Sequence, residues 1–387
     1  MVEAPQVHWS EGGEARSARW RSERGAPPPK KVVVADDTMT ADDAYGIASQ
    51  GIGLLWRGDF QNARQMLTAL ANRADRPPRK PGKTRPAAIP VAKSPVEAFN
   101  AQRQARAQRA RTLGMLLIPL EADHGIPLRR APDIRQACIE AYGTGEEASL
   151  VSLRELLGVI GAHEWRRKGI ELAPFGLRIH PHYGVFAPIR SEYVDLVANA
   201  PLPAAAASSS VAFDIGTGTG VLAAVLARRG IERVVATDLD PRALACAREN
   251  MERLGLAKQV DVVKADLFPE GRAALVVCNP PWVPARPSSP LEHGIYDPES
   301  RMLHGFLRGL PTHLEPGGEG WLILSDLAEH LGLRSRQALL ASFESAGLAI
   351  VDRIDVRPKH PKASDATDPL HHARKAEMTS LWRLSAP

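Results

Sequence analysis

The carboxyl half of this sequence predicts an α/β fold, and two observations carry that prediction. From residue 211 onward, short apolar runs alternate with amphipathic helical stretches. That alternation builds a mostly parallel sheet with helices on both faces. At the head of the series, "VAFDIGTGTG" (211–220) turns a buried strand into a helix through three alternate glycines, Gly216, Gly218 and Gly220. Glycines are needed where a backbone turns sharply and a ligand must approach without a Cβ in the way. The helix start beyond them offers unpaired N–H groups and a positive dipole end, which suits a nucleotide-type ligand.

Taken in order, the pattern predicts strands at 211–215, 233–237, 259–263, 274–278, 319–325, 348–356 and 378–384. Helices are expected at 219–229, 241–254, 299–313 and 335–346. The last two strands have no room for a crossover helix between them, so they should be antiparallel neighbours. "GLRIHPHYGVFAPIRSEYVDLVANAP" reads as a strand pair leading into a helix, which starts this unit near residue 166 and carries it to 387.

The preceding residues are less legible. A chain of 387 residues exceeds one typical domain. Residues 1–40 mix charge, Gly and "APPPKK" with little apolar periodicity, and read as a disordered tail. Residues 41–165 read as a mainly helical domain. In it Asp42 or Asp43 caps a helix carrying Ile47, Ile52, Leu54, Leu55 and Trp56, and a second helix carries Ala63, Met66, Leu67 and Leu70. Rich in Pro and positive charge, 72–94 reads as an extended basic linker.

Composition narrows the class. The chain is 44% apolar and 24% charged, ordinary for a globular protein. No apolar run approaches the ~18 residues of a membrane span. The amino terminus lacks a signal pattern, and Cys138, Cys246 and Cys278 are too scattered for a disulfide framework or a metal knuckle. A cytoplasmic protein without a membrane partner is expected. The net charge of +5 is uneven: between Asn72 and Arg111 eleven basic residues face only Asp75 and Glu97. Arg103, Arg106 and Arg109 form a stripe there. An acidic partner such as RNA fits this segment, as does a solvated helix face.

Three strand ends converge where an open α/β sheet binds its ligand. The first is the turn itself, with Asp214, Gly216, Thr217, Gly218 and Gly220. The second carries Asp238 and Leu239, with Asp238 lying 22 residues beyond Gly216, suited to ribose hydroxyls. The third carries Asp266 and Leu267, where Asp266 can accept from an adenine amino group. Any one of these acids alone reads as a helix cap or surface charge; all three at successive strand ends read as a site. The dinucleotide fingerprint G-x-G-x-x-G fails, because its third glycine position falls on Val221. The pattern D-x-G-x-G-x-G instead resembles the S-adenosylmethionine loop of class I methyltransferases.

The fourth strand ends in "VVCNPPWVP", with Asn279, Pro280, Pro281 and Trp282. This resembles the N/D-P-P-Y/F/W motif of methyltransferases that modify exocyclic base amines or the glutamine side-chain amide. A planar amide nitrogen is a poor nucleophile because its lone pair is delocalised. The Asn279 side-chain carbonyl and the Pro280 backbone carbonyl can accept its N–H bonds and favour the pyramidal, charge-bearing transition state. The prolines hold the turn, and Trp282 offers a flat surface to a planar group.

From about Ile179 to the end, the sequence is similar to the small-domain methyltransferases that include the HemK-like protein-glutamine N-methyltransferases. "GVFAPIRSEYVDLV" is similar to the segment that in that family covers the cofactor pocket, and "NPPWVP…HGIYDPESRMLHGFL" to its strand, loop and helix, with Trp where Tyr is commoner. The resemblance implies a seven-stranded Rossmann-like methyltransferase sheet with an antiparallel last strand. It also implies S-adenosyl-L-methionine as cofactor, no metal, and an enzyme acting on a macromolecule, protein or RNA. Protein glutamine is favoured over adenine N6 or guanine N2 of rRNA or tRNA, and ribosome association is left open. A non-catalytic RNA-associated protein and a small-molecule methyltransferase are the remaining alternatives.

Overall fold

The computed structural model describes residues 5–76, 94–208, 210–287, 292–358, 365 and 368–386. The chain divides into two compact units, Met1–Glu164 and Trp165–Pro387.

The first unit is built on a sheet, which corrects the disordered tail at 1–40 and adds three strands to the helices of 41–165. Its elements are β1 (Gln6–Glu11), β2 (Glu14–Arg21), β3 (Val32–Ala35), α1 (Ala41–Ser49), β4 (Gly53–Trp56) and α2 (Phe60–Ala74). They continue with α3 (Pro95–Leu113), β5 (Leu116–Leu120), α4 (Arg135–Tyr142), β6 (Ser149–Ser152) and α5 (Leu153–Lys168), inside which the division falls. The six strands lie in the order β1-β2-β6-β5-β4-β3.

Three of those strands come from the supposed tail. Gly12 and Gly13, both with positive φ, close the β1–β2 hairpin, as a two-residue turn between twisted strands requires. The hairpin hides its apolar signal because few residues face inward. Val7 and Trp20 pack against Val32, Leu55, Leu117 and Leu150, while the first half of β2 is exposed. The expected first helix also ends early. Thr40, not Asp42 or Asp43, caps α1 by accepting from the Asp43 N–H. "GLLW" is then the fully buried strand β4, parallel to both neighbours. A four-residue apolar run buried on both faces has no periodicity to tell strand from helix. In the basic 72–94 stretch, residues 72–74 belong to α2, and 77–93 lie outside the described residues.

The second unit opens with a short hairpin, β7 (Ile170–Leu172) and β8 (Leu177–Ile179), then α6 (Glu192–Asn199) and α7 (Ala205–Ser208). Next come β9 (Val211–Ile215), α8 (Val221–Arg228), β10 (Arg233–Asp238), α9 (Pro241–Arg253), β11 (Val260–Lys264) and β12 (Ala273–Cys278). After α10 (Arg301–His313) and β13 (Leu314–Ser325) the chain finishes with α11 (Leu327–His330), α12 (Arg336–Ser345), β14 (Ala349–Val356), α13 (His371–Ala376) and β15 (Thr379–Ser385). The seven strands β9 to β15 form one sheet in the order β11-β10-β9-β12-β13-β15-β14. β15 alone runs antiparallel, between β13 and β14.

Two apolar clusters sandwich this sheet. One joins α6 and α8 to the face bearing Ala212, Val277 and Trp321; the other joins α10 and α12 to the face bearing Phe213, Val276 and Leu322. The strands read as near-continuous apolar runs because both faces are covered. Strand order reverses at β9, whose neighbours are β10 on one side and β12 on the other, so their carboxyl ends open a crevice there. No helix among the described residues is long and apolar enough to cross a membrane.

Trp20→Ala tests the sheet in the first unit. Trp20 is 5% exposed, so truncation should cost about 3–5 kcal/mol in urea unfolding of that unit; a change under about 0.5 kcal/mol would mean that 14–21 is a tail after all.

Candidate active site

Three left-handed residues make the glycine turn: Gly216 at φ 70°, Gly218 at φ 55° and Gly220 at φ 82°. Side-chain-bearing residues avoid this region. Two of the glycines are also tightly enclosed. A Cβ on Gly216 would collide with Met302 Cε, and one on Gly220 would lie 2.9 Å from Met251 Cε. Gly218 differs, because the space beside it is open. The turn therefore presents backbone, not side chain, to whatever occupies the crevice.

Asp214 holds that turn from beneath. It is 1% exposed, and its Oδ2 accepts from Thr217 Oγ1 at 2.6 Å and from the Ala223 N–H at 3.0 Å. One carboxylate oxygen thus ties the turn to the first turn of α8. Burial raises the Asp214 carboxyl to about 6, against the pull of its two hydrogen bonds. Asn250, fully buried, joins the same frame: its Nδ2 donates to the Thr219 carbonyl, and its Oδ1 accepts from the His180 N–H.

At the end of β10, Asp238 faces the turn. Its Oδ2 accepts from the Gly218 N–H at 3.0 Å and its Oδ1 from the Asp240 N–H at 3.0 Å. Burial pushes this carboxyl upward too. Each oxygen keeps a further lone pair for a hydroxyl donor. Leu239 beside it is 48% exposed, an apolar surface left open next to a polar one. At the end of β11, Asp266 lies at the surface in an ion pair with Arg301 at 3.2 Å. Leu267 takes a positive φ of 74°, and its carbonyl accepts from Thr237 Oγ1 at 2.5 Å. That bond joins the ends of β10 and β11.

β12 lies directly beside β9, with Cys278 level with Ile215, so Asn279 emerges next to the glycine turn. Pro280 is buried, while Asn279, Pro281 and Trp282 are half-buried. Trp282 packs against both apolar clusters, and its indole N–H donates to Asn279 Oδ1 at 2.9 Å. The loop that follows is pinned back on itself. The Val283 N–H donates to the Ile295 carbonyl, and the Asp297 N–H to the Val283 carbonyl. The buried Asp297 carboxylate accepts the Met302 and Leu303 N–H groups at the start of α10.

Several residues around the site were not singled out individually from the sequence. Asp297 is one, although an Asp ahead of an apolar helix is a cap signal. Arg190 is another: it pairs at 3.1 Å with Glu377, whose side chain is 1% exposed and which also accepts from Ser325 Oγ. This fastens the segment before α6 to the start of β15. Phe186 and Ile295 stand half-exposed nearby, and Phe186 packs on Gly294. The Arg190–Glu377 and Phe186–Gly294 contacts each span more than 100 residues of chain.

Comparison with known proteins adds the following. Residues 176–349 match the model of the methyltransferase small domain family. The release factor glutamine methyltransferase of Cereibacter sphaeroides is 36% identical over 160 residues, covering 38% of this chain and 54% of that one. The ribosomal protein L11 methyltransferase of Pelotomaculum thermopropionicum is 39% identical over 144 residues, covering 36% of this chain and 39% of that one. The chain thus spans about half or less of the length of these relatives. Residues 176–349 are thus similar to methyltransferase small domains.

The similarity is to class I methyltransferases of the HemK-like type, a class that takes its methyl group from S-adenosylmethionine. The domain's crevice suits such a group on its own chemistry. Gly218 leaves an open cradle, Asp238 has acceptor capacity for vicinal hydroxyls, and Leu239 presents a bare apolar face for a planar ring.

Asp238→Ala should weaken cofactor affinity about 10–100-fold in calorimetry, the scale of losing hydrogen bonds to a charged group; unchanged affinity would remove Asp238 from the cofactor site. Asp214 predicts a pH effect. Its folded value of about 6 lies above the ordinary 3.8, so between them the native state holds the extra proton and stability falls as pH rises. Relative to Asp214→Asn, the wild type should lose about 2–3 kcal/mol in chemical denaturation between pH 4 and 7. Parallel curves would contradict this.

Proposed function

We propose that the protein is an S-adenosylmethionine-dependent N-methyltransferase whose acceptor is a planar nitrogen of a macromolecule, with the protein glutamine side-chain amide favoured. The observation that carries this reading is the position of Asn279–Trp282. They sit at the end of β12, which pairs with the glycine-turn strand β9. The prolines cap the motif, and the carbonyls of Asn279 and Pro280 supply the acceptors that an amide NH2 requires. The release factor glutamine methyltransferase among the relatives supports glutamine.

When bound, S-adenosylmethionine supplies an electrophilic methyl on a sulfonium. The chain's own residues do the rest. Gly216, Thr217, Gly218 and Gly220 expose the backbone of the turn, with Asp214 fixing its shape. Asp238 would hold the ribose hydroxyls, Leu239 and Leu267 would offer apolar surface to the adenine, and Asp266 would accept from its amino group. Asn279 and Pro280 orient the acceptor nitrogen by its N–H bonds, so that its lone pair points in line with the sulfonium. No strong general base is required, because the nitrogen's proton becomes acidic only as the N–C bond forms.

A second reading keeps this chemistry and replaces the amide by an adenine or guanine amine of RNA. The basic excess between Asn72 and Arg111 favours it. Two arginines of the stripe on α3 are engaged within the first unit: Arg109 pairs with Asp75 at 2.7 Å, and Arg103 lies over the Phe99 ring at 5.7 Å. Arg106 is exposed.

The deciding experiment is tritiated methyl transfer into cell extract followed by protease or nuclease digestion. Label released by protease supports the amide, label released by nuclease supports the base, and no label at all sinks both. Asn279→Ala should lower the transfer rate by ~10²-fold or more with cofactor affinity nearly unchanged.

A further inference from the structure

Trp282 departs from the commoner Tyr of this motif, and its environment shows what the change does. An asparagine side chain has two orientations about its last bond, which exchange a carbonyl acceptor for an NH2 donor at nearly the same place. Only the carbonyl orientation can receive the N–H of an acceptor amide; the NH2 orientation sets donor against donor. The indole N–H of Trp282 is a donor and nothing else, and it meets Asn279 Oδ1 at 2.9 Å. It can bond the carbonyl and not the NH2, so it selects the productive orientation.

The ring is in turn held in place. Trp282 packs against the apolar clusters on both faces of the sheet, so its N–H cannot follow Asn279 if the amide turns. The Asn279 carbonyl has two lone pairs: one takes the indole N–H and the other remains for the acceptor nitrogen. A tyrosine hydroxyl both donates and accepts, and would tolerate either orientation. A phenylalanine would enforce neither.

We propose that Trp282 is a positioning residue that locks the Asn279 amide through its indole N–H, so that its main service to methyl transfer is this lock and not its flat face. This rests on the proposed N-methyltransferase activity, with Asn279 as acceptor of the substrate N–H.

The test replaces Trp282 by 3-benzothienylalanine, which keeps the bicyclic shape and puts sulfur where the N–H was. Initial rates of tritium transfer from labelled cofactor into dialysed cell extract are compared in the wild-type and Asn279→Ala backgrounds. The expected result is a loss of about tenfold in the wild-type background, cofactor affinity within about twofold, and no further loss in Asn279→Ala. An unchanged rate overturns the lock, and so does an equal loss in both backgrounds, which would assign the effect to stacking or packing. Hydrogen exchange of the Trp282 indole N–H, followed by NMR, gives a readout independent of turnover. It should be slowed in the wild type and accelerated at least tenfold in Asn279→Ala. If the wild type transfers no label, the activity reading fails, and exchange alone then decides whether the lock exists; equal exchange in the two proteins overturns it.

Discussion

The second unit depends on one buried carboxylate. Asp214 sits at the end of a central strand with 1% exposure, and a charge there is costly unless its lone pairs are used. It uses them on Thr217 and on the Ala223 N–H, which brings the strand end, the turn and the helix start into one hydrogen-bonded knot. The three left-handed glycines are the backbone consequence, since the chain must reverse within a few residues to bring Ala223 back over Asp214. A crevice lined by open backbone is the functional consequence.

Around that knot, the neighbouring strand ends are joined by hydrogen bonds that cross between loops. Gly218 donates to Asp238, Thr217 donates to the Thr237 carbonyl at 2.8 Å, and Thr237 donates to the Leu267 carbonyl. The ends of β9, β10 and β11 are thus tied to one another. The end of β12 is held differently, by the packing of Trp282 and by the loop that Asp297 closes onto α10. The glycine-turn side of the crevice is tied by backbone and carboxylate hydrogen bonds, whereas the Asn279 side rests on a packed aromatic ring.

Legibility differed sharply between the two halves. In the second unit, both faces of the sheet are covered, so each strand is an apolar run long enough to see, and each turn carries glycine, proline or an acid at a required place. In the first unit, β4 is only four residues and half of β2 is charged. Trp20 was visible as a residue, but its partners Leu55, Leu117 and Leu150 lie far along the chain, and nothing local announces them. The Asp266–Arg301 pair and the Arg190–Glu377 pair were equally hidden.

The residues by themselves determined the α/β class of the carboxyl half and the strand ends that carry Asp214, Asp238, Asp266 and Asn279. These are local properties, set by backbone freedom and by spacing along one strand or one turn. The tertiary structure decided the rest. It made a sheet of the first unit, buried Asp214 as a brace for the turn, and turned Trp282 edge-on so that its N–H meets Asn279. The first depends on strands far apart in sequence and the other two on side-chain geometry within a turn, and a periodic pattern holds no record of either.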